Sequence, residues 1–331
     1  MIITRTPYRI SFFGGGTDHP LWYEKNGGAV LSASINKYCY ITCRFLPPFF
    51  KHKHRIVYSK QENVNHIDEI DHPSVRESMR YAGVKQGLEI HHDGDLPAMS
   101  GLGSSSSFTV GLLHALHGLA GQITTKRQLA LDAIHVEQNM IKENVGSQDQ
   151  TAAAFGGFNK IDFGGTSGIS VTPITITAER LNEFQDHLLL LFTDFSRKAS
   201  EIEAEKLKNF KNRGNELGAM TAMVQEGIDI LKSRKRLNDF GKLLNEGWKL
   251  KRSLSSVVST SKIDSIYETG IKAGAIGGKL LGAGGGGFML FFAPPDRHKK
   301  IKEKLKNFLH VPFRIEYIGS QIIYYSPQNL K

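Results

Sequence analysis

A chain of 331 residues, 40% hydrophobic and 22% charged, has the length of about two ordinary domains and a globular composition, which excludes wholesale disorder, collagen-like repeats and a small disulfide scaffold. No run of 18 apolar residues occurs, and the N-terminal stretch lacks an apolar core with a small-residue cleavage site, so neither a membrane span nor a secretory leader is expected. Lys and Arg number 42 against 32 Asp and Glu, a formal +10, which points to nucleic acid, an anionic surface or an anionic substrate.

From the N-terminus, residues 2–13 alternate around a proline as a strand, and 28–46 reads as two strands around a turn. Cys39 and Cys43 fall in the latter segment. Four residues of strand span roughly 13 Å, beyond disulfide reach, so both are expected as buried thiols of a cytoplasmic protein. Short strands follow at 54–58 and 88–92, helices at 104–119 and 126–143, and a strand-and-turn region at 155–176. An apolar strand at 187–195 precedes a charged, helix-periodic stretch over 197–256 and a helix at 262–274. A strand at 279–293, a basic helix near 295–309 and strands within 313–325 complete the chain. The shift in composition near 180–187 predicts two domains, 1–183 and 184–331, with a tight cleft between them.

Three glycine-rich segments carry the chemistry. In PAMSGLGSSSSFTVGLLHALHGLAG (97–121), Phe108, Leu112, Leu116 and Leu119 form one helix face, so Gly101, Leu102, Gly103, Ser104, Ser105 and Ser106 run as a loop into a helix N-terminus. Free N–H groups and the positive dipole end suit a phosphate there, and the serine hydroxyls add donors or a magnesium ligand. A single N-cap needs one serine, not four. No P-loop or protein-kinase signature occurs. Gly282, Gly284 and Gly287 satisfy the dinucleotide fingerprint, but a strand ended by two prolines follows instead of a helix; these glycines read as a loop packed against a ligand or simply as a tight turn. In RTPYRISFFGGGTDHP (5–20), Gly15 and Gly16 lead to Thr17 and Asp18, which by themselves read as a glycine turn capped by an aspartate.

Together and in this order, RTPYRISFFGGGTD, PAMSGLGSSSS and KLLGAGGGGFML resemble the three motifs of the galacto-, homoserine, mevalonate and phosphomevalonate (GHMP) small-molecule kinases. Within that superfamily, RTPYRISFFGGGTDHPLWYEKNGGAVLSASINKY and NVGSQDQTAAAFGG resemble the heptose 7-phosphate kinase branch, with Asn36 standing where related sugar kinases are expected to carry Asp.

The resemblance implies an α+β fold of two domains. The first is an α/β domain with a mixed sheet, the second is a ferredoxin-like α/β domain, and the active site lies in the cleft between them. It implies ATP over Gly101–Ser106, magnesium on Ser105 or Ser104 and on Glu137, and Asp149 as the group that takes the acceptor hydroxyl's proton, with Arg9 beside it. Gly15, Gly16, Thr17 and Asp18 are expected at the sugar, and Ser196 and Arg197, at the start of a helix, at its existing phosphate. The bland readings remain beside these: a rim charge for Glu137, a turn for Asp149, and an ordinary helix cap for Ser196.

The implied reaction is phosphorylation of O1 of a heptose 7-phosphate, for nucleotide-activated heptose synthesis. The alternatives are a kinase for another sugar of galactose or fucose type, or a non-enzymatic sugar and nucleotide sensor on the same fold. The expected partners are ATP and a phosphorylated sugar, with no nucleic acid and no membrane, in a monomer or homodimer. The basic excess lies largely in 195–252 and in the helix near 295–309, away from the glycine loop, as suits a host of two phosphorylated substrates.

Overall fold

The computed structural model describes residues 1–331 apart from 99, 167, 194–201, 203, 206, 208–212, 234–235 and 328–331. Strand β1 (Ile2–Phe13) lies antiparallel to β2 (Gly28–Phe45), and the two anchor an eight-stranded sheet. The alternation that suggests two strands in 28–46 is broken at Asn36 and Lys37. Tyr8 faces Ile35 and Pro7 faces Tyr38, so those two residues form a bulge within one long strand. Pro7 has no N–H to give at that point, where a break in the ladder costs least. The bulge does not go unused: Asn36 pairs backbone to backbone with Arg314, and its Oδ1 accepts from the Arg314 N–H at 2.7 Å.

The length of β2 lets it serve two partners. Its first half pairs with β6 (Phe158–Phe163), which carries β7 (Ile169–Pro173), and its second half pairs with β5 (Leu88–Gly94). Strands β3 (His54–Val57) and β4 (Gln61–Val64) extend the sheet, and β3–β5 is the parallel pair that makes it mixed. Cys39 and Cys43 are free and fully buried in β2, and burial pushes the Cys43 thiol up to about 12. Helix α3 (Ser104–Leu119) packs on β1 and β2, close enough that a Cβ at Gly111 would sit 2.8 Å from Thr6 Oγ1.

The second unit pairs β8 (Leu188–Phe192), β9 (Gly277–Leu280), β10 (Phe288–Phe292) and β11 (Leu309–His310) in the order β11–β8–β10–β9, all antiparallel. This is the ferredoxin-like strand order. The expected single strand over 279–293 is two strands, β9 and β10, with the glycines looping out between them. Helices α7 (Gly214–Lys232), α8 (Asn238–Ser253) and α9 (Ser261–Ala273) supply the apolar layer, α7 also packing on β1 and β2.

The division expected at residue 183 does not hold for the end of the chain. Ile315 bridges Ile35, and β12 (Gln321–Tyr325) pairs with β1 in the first sheet. One aromatic cluster spans both units: Phe184 lies 5.4 Å from Phe12 of β1, 5.5 Å from Phe158 of β6 and 4.9 Å from Phe240 of α8. No helix among the described residues is long and apolar enough to cross a membrane.

Candidate active site

The three glycine segments meet. Gly101 and Gly282 lie back to back, both at positive φ. A Cβ on Gly282 would come within 2.4 Å of Gly101 Cα, and one on Gly101 within 2.6 Å of Leu281 O. Gly287 presses on Ser100 O in the same way, at 2.2 Å. What the third segment packs against is therefore the second. The first joins them through Arg9, whose backbone N–H donates to Leu102 O at 3.0 Å and whose Nη1 donates to Gly101 O at 2.7 Å.

The remaining donors of Arg9 hold Asp149. Nε donates to Oδ1 at 2.8 Å and Nη2 to Oδ2 at 2.7 Å, a bidentate fork. Asp149 lies in the first turn of α5 (Gln148–Phe155), not in a turn between elements, and its side chain remains 27% exposed while that of Arg9 is buried. Gly103, at φ +75°, lies against this pair: a Cβ there would be 3.2 Å from Arg9 Cγ and 3.4 Å from Asp149 Oδ2. An open carboxylate thus stands beside a glycine loop that leads into the N-terminus of α3.

The four serines of that N-terminus differ. Ser107 Oγ donates to Pro7 O at 2.9 Å, tying α3 to β1, and Ser106 Oγ donates to Glu137 Oε2 at 2.9 Å. Ser104 is half-buried and Ser105 is exposed. The hydroxyl hydrogen-bonded to Glu137 is that of Ser106, whereas the magnesium expectation names Ser105 or Ser104. On a helix one residue turns the side chain by about 100°, so spacing alone cannot tell which serine faces the carboxylate.

Glu137 itself is 1% exposed, a buried group and not a rim charge. The helix expected over 126–143 ends as α4 (Lys126–His135), and Val136–Met140 widens into a π-turn that carries Glu137. Burial, with Glu143 nearby, pushes the Glu137 carboxyl up to about 7 against opposing hydrogen bonds from Ser106 and Gln150. Its Oε2 accepts from Ser106 and Gln150, while Oε1 is buried with no protein partner.

The first glycine segment is tied together by bonds from its side chains to backbone. The Thr17 hydroxyl is fully buried and committed to backbone, its one proton lying between Gly14 O at 2.8 Å and Ala29 O at 3.0 Å while its oxygen accepts from Ala29 N at 3.2 Å. It holds the loop against β2. Asp18 is 7% exposed, and its Oδ1 accepts from Gly16 N at 2.8 Å. Gly16 takes φ +104°, whereas Gly15 has no positive φ and meets only Ser11 Oγ at 3.5 Å. Ser196 and Arg197 lie outside the described residues. Gln150, which donates to Glu137 Oε2, had a sequence signal in its place one residue after Asp149; Lys251, whose Nζ donates to Leu280 O at 3.0 Å and to Gly282 O beneath the third loop, had none.

Both halves of this arrangement match known protein families. Residues 72–157 match the model of the GHMP kinases N-terminal domain and residues 228–311 that of the GHMP kinases C-terminal domain. The chain belongs to the GHMP kinases and has their two-domain fold; it is a phosphotransferase with an alcohol group as acceptor. It is 32% identical over 319 residues, 92% of this chain and 93% of the other, to the D-glycero-alpha-D-manno-heptose 7-phosphate kinase of Campylobacter jejuni. It is 24% identical to the galactokinase of Pyrococcus furiosus over 92% of each chain. Among solved structures, one described as a D-glycero-D-manno-heptose 1-phosphate kinase from Bacteroides thetaiotaomicron superposes with a TM-score of 0.79 at 23% identity, over 98% of this chain and 100% of that one.

Proposed function

We propose that this chain is an ATP-dependent sugar kinase that phosphorylates O1 of D-glycero-D-manno-heptose 7-phosphate to the 1,7-bisphosphate. The observation that carries the reading is the 32% identity across 92% of the chain to the Campylobacter jejuni enzyme of that substrate. The bidentate Arg9–Asp149 pair beside the glycine loop supplies what phosphoryl transfer asks of a protein, position and charge. In this reading the O1–H proton passes to the Asp149 carboxylate. The O1–phosphorus bond forms as the bond from the γ-phosphorus to the bridging oxygen breaks, and ADP leaves. Arg9 fixes both oxygens of Asp149 and sets the direction from which the hydroxyl approaches.

The phosphates would lie over Gly101–Ser106, where the N–H groups that begin α3 have no partner within the helix. Magnesium would be held beside that loop by Ser106 Oγ and the partnerless, buried Glu137 Oε1, both hard oxygen donors. Among the described residues no group of three or more His, Cys, Asp or Glu could hold a metal, so the set is a serine and a carboxylate completed by phosphate and water oxygens. When bound, the ion would neutralise charge on the phosphates.

The test is purified protein with ATP, magnesium and a panel of heptose 7-phosphate, heptose 1-phosphate, free heptose, galactose and fucose, with the new phosphate located by ³¹P NMR. Turnover confined to heptose 7-phosphate, with phosphorylation at O1, supports the reading; equal turnover of the unphosphorylated sugars overturns it. Asp149→Asn is expected to lower kcat by roughly 10²- to 10⁴-fold while ATP still binds.

A further inference from the structure

Asp149 is held at two points, and only one of them is its own side chain. It follows Gln148, the first residue of α5, and a helix begins with N–H groups that no residue of the helix can satisfy. Ser147 stands at the N-cap, but its side chain makes no cap bond. The reason is local: Ser147 Oγ is engaged by Tyr23 OH at 3.2 Å and by Gln138 Nε2 at 3.2 Å. The open N–H groups are taken up by Asp18, 130 residues earlier. Its Oδ2 accepts from Gln148 N at 3.3 Å, and its backbone carbonyl accepts from Ser147 N at 2.9 Å.

The fit of Asp18 to this end of α5 is close. A Cβ on Gly146 would lie 2.0 Å from Asp18 Oδ2 and 2.6 Å from its Cγ. The backbone at Gly146 needs no left-handed conformation, so it is the approach of the Asp18 carboxylate that excludes a side chain there. The negative charge sits at the positive end of the helix dipole. The other carboxylate oxygen closes the first glycine loop through Gly16 N at 2.8 Å, so both oxygens of Asp18 serve backbone.

We infer that Asp18 is a positioning residue for Asp149. It caps α5 from the first glycine segment and sets the depth at which the first turn of the helix presents its carboxylate to Arg9 and to the acceptor hydroxyl. The inference rests on the proposed role of Asp149 above.

The test compares wild type, Asp18→Asn, Gly146→Ala, Asp149→Asn and the double variant Asp18→Asn/Asp149→Asn. All are assayed with ATP and magnesium on the sugar that the wild type phosphorylates best, with melting temperature and ATP affinity as controls of folding. Failure of the heptose reading shows in the wild type's choice of sugar; failure of the positioning role shows only among the variants. Asparagine presents an N–H₂ to a backbone N–H, and Gly146→Ala displaces the carboxylate without removing it. Both are expected to lower kcat by about 10- to 100-fold with KM for ATP and sugar within about threefold of wild type, since a shift of about 1 Å at a reacting group costs that much. In the Asp149→Asn background the Asp18→Asn change is expected to add less than about twofold, because residues acting as a unit are not additive. A raised KM for the sugar with kcat retained overturns the inference, as do losses that multiply in the double variant or an unchanged kcat. If Asp18→Asn fails to fold, Gly146→Ala carries the same comparison.

Discussion

Ser104 to Ser107 look interchangeable on paper, yet each meets a different neighbour. Ser107 secures α3 to Pro7 of β1, Ser106 meets the buried Glu137, and Ser105 faces solvent. Ser106→Ala is therefore expected to raise the magnesium concentration needed for half-maximal turnover by roughly tenfold or more, the scale on which loss of one charge-assisted contact of about 1.5 kcal/mol acts. Ser105→Ala is expected to leave that requirement within about twofold, and a magnesium titration of both variants separates the two. Arg9 shows the same economy of geometry. One side chain binds both oxygens of Asp149 and the Gly101 carbonyl, so a lysine, with a point charge in place of a fork, cannot replace it.

At the scale of elements, the glycine loops work as a contact between backbones. Gly101 and Gly282 combine positive φ with an approach that leaves no room for a methyl group, so Gly101→Ala or Gly282→Ala is expected to destabilise by about 2 kcal/mol or more and to weaken ATP binding. Gly218, exposed on α7 with nothing within 4 Å of its would-be Cβ, is the contrast. Gly218→Ala is expected to stabilise by about 0.5–1 kcal/mol, and urea titrations of the three variants check both signs. Helix α3 begins and ends where its apolar face predicts, and all three motifs stand at the site, because a helix start and a glycine run are local properties of sequence. Three features were hidden for the opposite reason. The Asn36–Lys37 bulge depends on the partner strand and on the returning segment at Arg314. The choice of Ser106 depends on where the π-turn carries Glu137, and the burial of Thr17 depends on Ala29 across a turn. Each is decided by a residue far away or on another element, which neither periodicity nor spacing encodes.

For the whole molecule, the aromatic cluster around Phe184 makes the two sheets share one core. Phe184→Ala is expected to cost about 3–5 kcal/mol, and calorimetry is expected to show one transition shifted downward; two separated transitions would contradict a shared core. Acid should act through the first sheet and the helix over residues 73–81 that His72 caps. Burial holds His54 and His72 down to about 4, and their Nδ1 atoms accept from Leu88 N and Val75 N, so protonation breaks those bonds. Since their folded values lie below the ordinary histidine value of about 6.5, the stability they give is complete above about pH 6.5 and is lost as pH falls toward 4. Glu89 adds a second step. Burial raises its carboxyl, but hydrogen bonds from His91, Arg44 and Arg55 outweigh it and bring it to about 2, so its contribution is lost as pH falls from about 4.5 toward 2. The urea midpoint is expected to fall progressively from pH 7 to 3. The pairing of β12 with β1 also dictates an order of events during synthesis. Met1 and Ser326, 325 residues apart, bond to each other through their backbones, so the outer edge of β1 stays open until residues 321–326 have left the ribosome. An open edge invites pairing with other chains, and a chain stopped after residue 313 is expected to aggregate where one that includes β12 folds.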